Sequence, residues 1–133
     1  DTKFGLMVPN IKDADHKSIF RIAEEIVDLV DLADERKIDM QGFRGGTFTV
    51  SNYGAIGSLY ATPVINYPEV AILGMGRVQE APVVRDGKIV TRLMLPLALT
   101  FDHRLVDGVE PARFLTLVIS YLQDSDLLLL EGA

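Results

Sequence analysis

The side chains best suited to chemistry in this sequence follow an apolar run near its C-terminal end. The run 97–101 leads into His103 and Asp107, and Gly108 then precedes an amphipathic segment. An imidazole with an ordinary pKa of about 6.5 is largely neutral at pH 7, so it can accept a proton as a general base. Catalytic groups are often found where regular structure gives way to a loop. His103 is therefore the first candidate for a catalytic base.

Other roles for the residues of this segment stay open. His103 could equally be a core histidine whose ring bonds to a backbone carbonyl. Asp107 and Glu110 have the spacing of a capping box at the start of the last helix. Arg104 is expected to pair with a nearby carboxylate. A metal site is poorly supported, because the sequence holds one other histidine, His16, and no cysteine.

Ser51 lies on the polar face of a predicted strand, 52 positions before His103. As a nucleophile activated by His103, with Asp102 or Asp107 as the orienting acid, it would make a Ser-His-Asp hydrolase. The sequence around it lacks the Gly-x-Ser-x-Gly turn that exposes such a nucleophile. Alternatively, Ser51 donates a hydrogen bond to an oxyanion while His103 deprotonates a nucleophile that the substrate brings.

Two amphipathic helices are predicted, one in the first third of the chain and one near its C-terminal end. Ser18 can cap a helix that runs to about Arg36, with an acidic stripe expected to face solvent. His16, just before it, is expected at the surface. The second helix begins near Val109 with Pro111 in its first turn, and its expected core positions are Phe114, Leu117, Val118, Tyr121 and Leu122. The apolar stretch Leu127 to Leu130 is expected to pack back on the chain or against another subunit.

The predicted strands lie between these helices and before them. A short buried strand is predicted over 4–8, and the alternation in 47–52 places Phe48 and Val50 on one face. A buried strand follows over 70–76; its Gly-Met-Gly is no dinucleotide fingerprint, because the third glycine is replaced by Gln79. Asp86-Gly87 predicts a hairpin. Its second arm is predicted to continue to Phe101, covered on both faces, with an edge or a bulge at Pro96.

The composition is that of an ordinary globular protein of 133 residues, 48% hydrophobic and 24% charged, which suggests one domain. A net charge of −6 with no run of Lys and Arg argues against a nucleic-acid partner. No apolar run reaches about 18 residues, so no membrane span is predicted. The lack of cysteine fits a reducing compartment. The first residues are neither a signal nor a transit peptide and are interpreted as a cut end.

The residues around His103 resemble a known signature. Positions 102–108 read Asp-His-Arg-Leu-Val-Asp-Gly, which resembles the His-x-x-x-Asp-Gly motif of the E2 component of 2-oxo acid dehydrogenase complexes. These dihydrolipoamide acyltransferases are related to chloramphenicol acetyltransferase. Four further segments resemble the family's in the same order, namely 5–11, 45–52, 63–66 and 68–74. The resemblance spans nearly the whole chain.

The resemblance implies an α/β (α+β) fold of the chloramphenicol-acetyltransferase type, a two-layer fold with a mixed β-sheet and helices packed on it, truncated at the N-terminus. Residues 1–133 would be part of the catalytic domain, without the lipoyl and peripheral-subunit-binding domains. The implied activity moves an acyl group between a dihydrolipoyl thiol and coenzyme A. His103 would take the thiol proton, Ser51 would stabilise the oxyanion, and Asp107 would hold the loop and the helix start.

The family also implies partners. The lipoyl group would be carried on a separate domain, coenzyme A would be the cosubstrate, and no metal is expected. The resemblance assigns no cofactor-binding residue. A homotrimer would pair Ser51 of one chain with His103 of its neighbour and assemble into a larger core that meets the lipoyl domain and the E1 and E3 components. The implied location is a bacterial or archaeal cytoplasm, or the mitochondrial matrix in a eukaryote, with no nucleic-acid or membrane partner.

Two alternatives compete with this interpretation. The chain could be a non-catalytic assembly fragment of such a core. It could also be a coenzyme-A-dependent acetyltransferase that acts on a small hydroxyl or amine acceptor. The acyl group itself could derive from pyruvate, 2-oxoglutarate or a branched-chain 2-oxo acid.

Overall fold

The computed structural model describes residues 3, 5–124, 126, 127 and 130. The chain divides into two compact units, 1–46 with 117–133 and 47–116. The helices are α1 (Ile19–Asp34) and α2 (Val109–Gln123), and the strands are β1 (Thr49–Asn52), β2 (Ala71–Met75), β3 (Gln79–Arg85), β4 (Lys88–Met94) and β5 (Leu97–Phe101). Within the described residues, no helix has both the length and the apolar character needed to cross a bilayer.

Helix α1 in the first unit forms as predicted. Ser18 is its N-cap, and the Ser18 hydroxyl accepts a hydrogen bond from the backbone N–H of Arg21 at 3.3 Å. Most of the acidic stripe is exposed, as expected. Glu25 is the exception, because it is half-buried and pairs with Lys17 at 2.8 Å. The hydrogen bond from Lys17 is the main reason that the pKa of Glu25 is lowered.

The strand predicted over 4–8 does not form. Gly5 makes only a single bridge pair, and residues 6–11 have no regular secondary structure. Gly5 has a φ of +110°, which breaks an extended ladder, and Pro9 has no N–H to donate. The segment is instead held through Asn10, whose backbone N–H donates to the carbonyl of Gly42 at 2.8 Å. His16 is exposed in a short 3-10 helix, as predicted.

The second unit contains a mixed three-stranded sheet in the order β1-β2-β5. Strand β1 is parallel to β2, and β5 is antiparallel to it. The central strand β2 contains the buried residues Ile72, Leu73 and Gly74. On β1 the burial alternates, with Thr49 and Ser51 more buried than Val50. The mixed sheet and the alternation in β1 therefore agree with the sequence analysis.

Strands β3 and β4 form the predicted hairpin. Asp86 and Gly87 have φ values of +50° and +73°, as a primed two-residue turn requires. The prediction that the second arm continues to Phe101 is wrong, because β4 ends at Met94 and β5 belongs to the other sheet. Pro96 lies at the break, where it cannot donate a ladder bond and its carbonyl accepts from Gly76 at 2.8 Å. The prediction that this arm is covered on both faces is also wrong, because Leu93 on β4 is 71% exposed.

The glycines around the end of β2 serve close packing. A Cβ atom added to Gly74 would lie 2.6 Å from the ring of Tyr53, and one added to Gly76 would overlap the carbonyl of Leu59. Strand β2 ends at Met75, and the next element is a strand, so no helix N-terminus follows the glycines. This agrees with the rejection of a dinucleotide-binding motif.

Helix α2 begins at Val109, as predicted, with Pro111 buried in its first turn. Of the expected core positions, Val118 and Tyr121 are half-buried, whereas Leu117 and Leu122 are more than half exposed. The ring of Phe114 packs on that of Phe48 with centroids 5.5 Å apart. The prediction for 127–130 falls partly on Leu128 and Leu129, which lie outside the described residues.

Candidate active site

His103 lies in the turn that follows β5, and three backbone hydrogen bonds hold that turn. The N–H of Asp102 donates to the carbonyl of Val70 at 2.8 Å, which extends the pairing of β5 with β2 by one step. The carbonyl of Asp102 accepts from Leu105 at 3.0 Å and from Val106 at 3.1 Å. The turn that carries His103 is therefore anchored to the central strand of the sheet.

The His103 ring is exposed rather than buried in the core. It packs obliquely on the ring of Phe101, with centroids 5.7 Å apart and an interplanar angle of 38°. A Cβ atom added to Gly108 would lie 3.5 Å from Nε2, an ordinary van der Waals distance, so Gly108 lies next to this nitrogen. Among the described residues, no other residue makes a hydrogen bond to either ring nitrogen. The ring is thus accessible at the surface of the described part of the chain.

Asp102 is bound to Arg104 and does not orient His103. The guanidinium Nε lies 2.9 Å from Oδ1, and Nη2 lies 2.6 Å from Oδ2. The backbone N–H of Arg104 also donates to Oδ1 at 3.0 Å. These hydrogen bonds, from the side chain first, lower the pKa of Asp102 to about 2. The expected ion pair of Arg104 is confirmed, and a triad built on Asp102 is not formed.

Asp107 makes local contacts at the start of α2. Its Oδ1 accepts from the N–H of Gly108 at 2.7 Å, and its carbonyl accepts from the N–H of Glu110 at 3.1 Å. The predicted capping box is wrong, because α2 begins one residue too late for Asp107 to be its N-cap. Within residues 5–124 the Asp107 side chain makes no hydrogen bond to His103. The contacts of Asp107 hold the loop before α2 and do not orient the ring of His103.

Ser51 and His103 are not brought together within one chain. Ser51 pairs with Gly74 on β2, and Gly74 pairs with Ala98 on β5. The two residues are therefore separated by two strand spacings of about 4.8 Å each and by more than about 10 Å along β5. Ser51 is half-buried, and its hydroxyl makes no hydrogen bond to any other described residue.

A polar contact that the sequence analysis missed joins β1 to the segment before β2. The hydroxyl of Thr49 donates to Oε2 of Glu69 at 2.5 Å, and Asn66 Nδ2 lies 3.4 Å from Oε1 of the same carboxylate. No spacing signal reveals this contact, because 20 residues separate Thr49 from Glu69. The contact ties the start of the strand that carries Ser51 to the strand that anchors the His103 turn.

No metal site is evident in the part of the chain that the structure describes. No group of three or more His, Cys, Asp and Glu side chains is arranged there to hold a metal ion. Clefts of about 280 and 250 Å³ lie in the first unit and are lined mainly by apolar residues, Met7 among them. Ser51 and His103 belong to the second unit and line neither cleft.

Comparison with known sequences places this chain in a family. Residues 1–130 match the family described as 2-oxoacid dehydrogenases acyltransferase (catalytic domain). The chain is 46% identical over 132 residues to the dihydrolipoyllysine-residue acetyltransferase component of the pyruvate dehydrogenase complex of Staphylococcus epidermidis. The match covers 99% of this chain and 30% of that protein. The chain is also 46% identical to the Staphylococcus aureus protein, of which it covers 31%.

Comparison with solved structures leads to the same family. The dihydrolipoamide acetyltransferase of Azotobacter vinelandii, studied for the role of a serine, a histidine and an asparagine in its catalytic mechanism, superimposes with a TM-score of 0.90 at 42% identity. The match covers 97% of this chain and 53% of that one.

A truncated catalytic core of the 2-oxoacid dehydrogenase complex from Thermoplasma acidophilum superimposes with a TM-score of 0.79 at 44% identity, over 93% of this chain and 54% of that one. The fold expected from the sequence is therefore confirmed. The chain spans about half the length of these cores and about 30% of the length of the curated relatives. The match over residues 1–130, the identities and the shared fold lead to one conclusion: the chain belongs to the family of 2-oxoacid dehydrogenase acyltransferase catalytic domains.

Proposed function

We propose that this chain is part of an E2 catalytic domain that moves an acyl group between a dihydrolipoyl thiol and coenzyme A. One observation carries the proposal. In the Azotobacter vinelandii enzyme the serine, histidine and asparagine of the catalytic study are separated by 52 and then 4 positions. Ser51, His103 and Asp107 have the same two separations. An aspartate stands where that enzyme has its asparagine.

His103 acts as the general base. A free thiol with a pKa of about 8.5 is only a few per cent thiolate at pH 7, so removing its proton raises the rate by about 10²- to 10⁴-fold. The exposed ring supports this role, because an incoming thiol can reach it. His103 takes the thiol proton as the sulfur attacks the acyl thioester, and a new C–S bond forms. When the tetrahedral intermediate collapses, the old C–S bond breaks and the departing thiolate takes the proton back.

Ser51 donates a hydrogen bond to the oxyanion of that intermediate. Loss of one such donor costs about 10²- to 10³-fold in rate. Because the sheet register separates Ser51 from His103 in one chain, the proposed site pairs Ser51 of one subunit with His103 of its neighbour in a trimer. Large side chains in the loop after β1 fit a subunit contact, since Ile56, Val64 and Tyr67 are 82 to 92% exposed.

The proposed trimers assemble into a larger core. In support, the chain superimposes with a TM-score of 0.90 on the cubic core of a pyruvate dehydrogenase multienzyme complex. The lipoyl group, on a separate domain, and coenzyme A are the proposed cosubstrates, and the E1 and E3 components are the proposed partners. A hydrolase is disfavoured, because Arg104 occupies the Asp102 carboxylate and Ser51 lies within a strand.

One rival keeps support from the comparisons. The chain spans 53% of a solved core, so it could keep the assembly surface without completing the site.

The test is acetyl transfer from acetyl-CoA to free dihydrolipoamide by the assembled protein, beside the His103→Ala variant. We expect transfer in the wild type and a loss of two or more orders of magnitude in the variant. A folded, assembled wild type without transfer would reject catalysis in favour of the scaffold.

A further inference from the structure

The backbone of His103 is restrained, but no other described residue forms a hydrogen bond that orients its ring. The turn that carries it is tied to Val70 through the N–H of Asp102 at 2.8 Å. Neither ring nitrogen makes a hydrogen bond to another residue in the described ranges. The torsion that turns an imidazole about its Cβ–Cγ bond has broad, roughly two-fold preferences. Because the ring is also exposed, its direction depends on the packing contacts that it makes.

Phe101 supplies such a contact. The centroids of the two rings are 5.7 Å apart and their planes are inclined at 38°, which is within the range of favourable aromatic pairs. Successive side chains of an extended chain point to opposite sides, so residues 101 and 103 project to the same side. The bond from Asp102 to Val70 continues the strand pairing through the residue between them. The contact therefore follows from the backbone that β5 imposes.

The phenyl ring belongs to the constrained part of the second unit. Phe101 is half-buried and is the last residue of β5. Its register partner is Ala71 on β2, the central strand of the sheet. The exposed imidazole thus rests against a ring whose backbone is paired within the sheet.

The direction of the imidazole matters for the proposed chemistry. A general base must bring its nitrogen within about 2.6 to 3.2 Å of the atom whose proton it takes. We propose that Phe101 is a positioning residue for His103, because its ring limits the rotation of the imidazole and keeps one ring nitrogen directed at the incoming thiol. This inference rests on the proposed function. Phe101 acts through His103 and does not touch the substrate.

The first test is Phe101→Leu in the assembled protein, which removes the ring and keeps an apolar side chain at the end of β5. With acetyl-CoA and dihydrolipoamide, we expect kcat to fall about 3- to 10-fold, the value of one aromatic contact, with both KM values within about twofold. Phe114→Leu is the matched control. It removes a ring contact of similar length, 5.5 Å to Phe48, that does not involve His103, so it should keep kcat within about twofold of the wild type.

The second test restores the ring. Phe101→Tyr keeps the aromatic contact and adds one hydroxyl, so its kcat should stay within about twofold of the wild-type value. A loss in Phe101→Tyr as large as in Phe101→Leu would overturn the inference. Thermal unfolding midpoints of the variants show whether the fold is intact.

The third test places Phe101→Leu in a His103→Ala background. There it should change kcat by less than about twofold, because no imidazole remains to be positioned. An equal loss in both backgrounds would show a merely structural role and overturn the inference. An unchanged kcat in Phe101→Leu, with a large loss in His103→Ala, would overturn it while the proposed function stands. A wild type without transfer would remove both.

Discussion

Asp102 and Arg104 form a two-pronged ion pair that brackets His103, with Nε to Oδ1 at 2.9 Å and Nη2 to Oδ2 at 2.6 Å. The ion pair joins two residues of one turn. In the same turn, the backbone N–H of Asp102 donates to the carbonyl of Val70. An arginine fork binds the two carboxylate oxygens through two separate nitrogens in one plane, a geometry that the single ammonium of a lysine cannot match. The position of the His103 backbone is thus restrained by its two sequence neighbours.

Arg104→Met should loosen this turn and raise the pKa of Asp102 from about 2 toward its ordinary 3.8. Because the folded-state pKa is lowered, the pair stabilises the fold above about pH 4, and this contribution is lost as pH falls through 2. Urea unfolding at several pH values should show the variant less stable than the wild type at pH 5, with the gap closing near pH 2. A gap that is constant with pH would contradict this reason. NMR titration of Asp102 measures the pKa directly.

Gly74→Ala should destabilise the second unit, because the new methyl group would lie 2.6 Å from the Tyr53 ring and 3.1 Å from Pro63. Overpacking of this kind costs about 1 to 3 kcal/mol in the free energy of unfolding. Denaturant unfolding measures the loss. Adding Tyr53→Leu should recover part of it, because the smaller side chain makes room. Losses that simply add in the double variant would show that the two residues are not in contact.

Mixed subunits test the proposed site shared between two chains of a trimer. Ser51→Ala and His103→Ala chains should each be nearly inactive alone, yet random trimers made from both should recover about a quarter of the wild-type rate, the share of interfaces that join two intact residues. The measurement is acetyl transfer after the two chains are unfolded together and reassembled. Recovery would be absent if both residues of a site came from one chain. Wild-type chains taken through the same cycle provide the reference.

Local chemistry explains what the sequence predicted well. The Ser18 cap depends on a hydroxyl three residues from its partner N–H, and the Asp86-Gly87 turn depends on two residues that accept positive φ. The start of α2 at Val109 also follows from nearby residues. The resemblance at 102–108 indicated the family because the whole motif lies within seven consecutive residues. For these features, the information lies within a few positions of the chain.

Contacts between distant positions were decided by the tertiary structure alone. The apolar run after the hairpin did not show that Pro96 would divide it between two sheets, since that depends on the bond from Gly76. The spacing of Ser51 and His103 in the sequence also did not show that they lie two strands apart. The periodicity of apolar residues predicts strands but not their order in a sheet. The sequence by itself indicated the candidate site residues, the family, and most of the helices and strands. The folded chain decided their distances, because long-range pairing depends on which surfaces fit together.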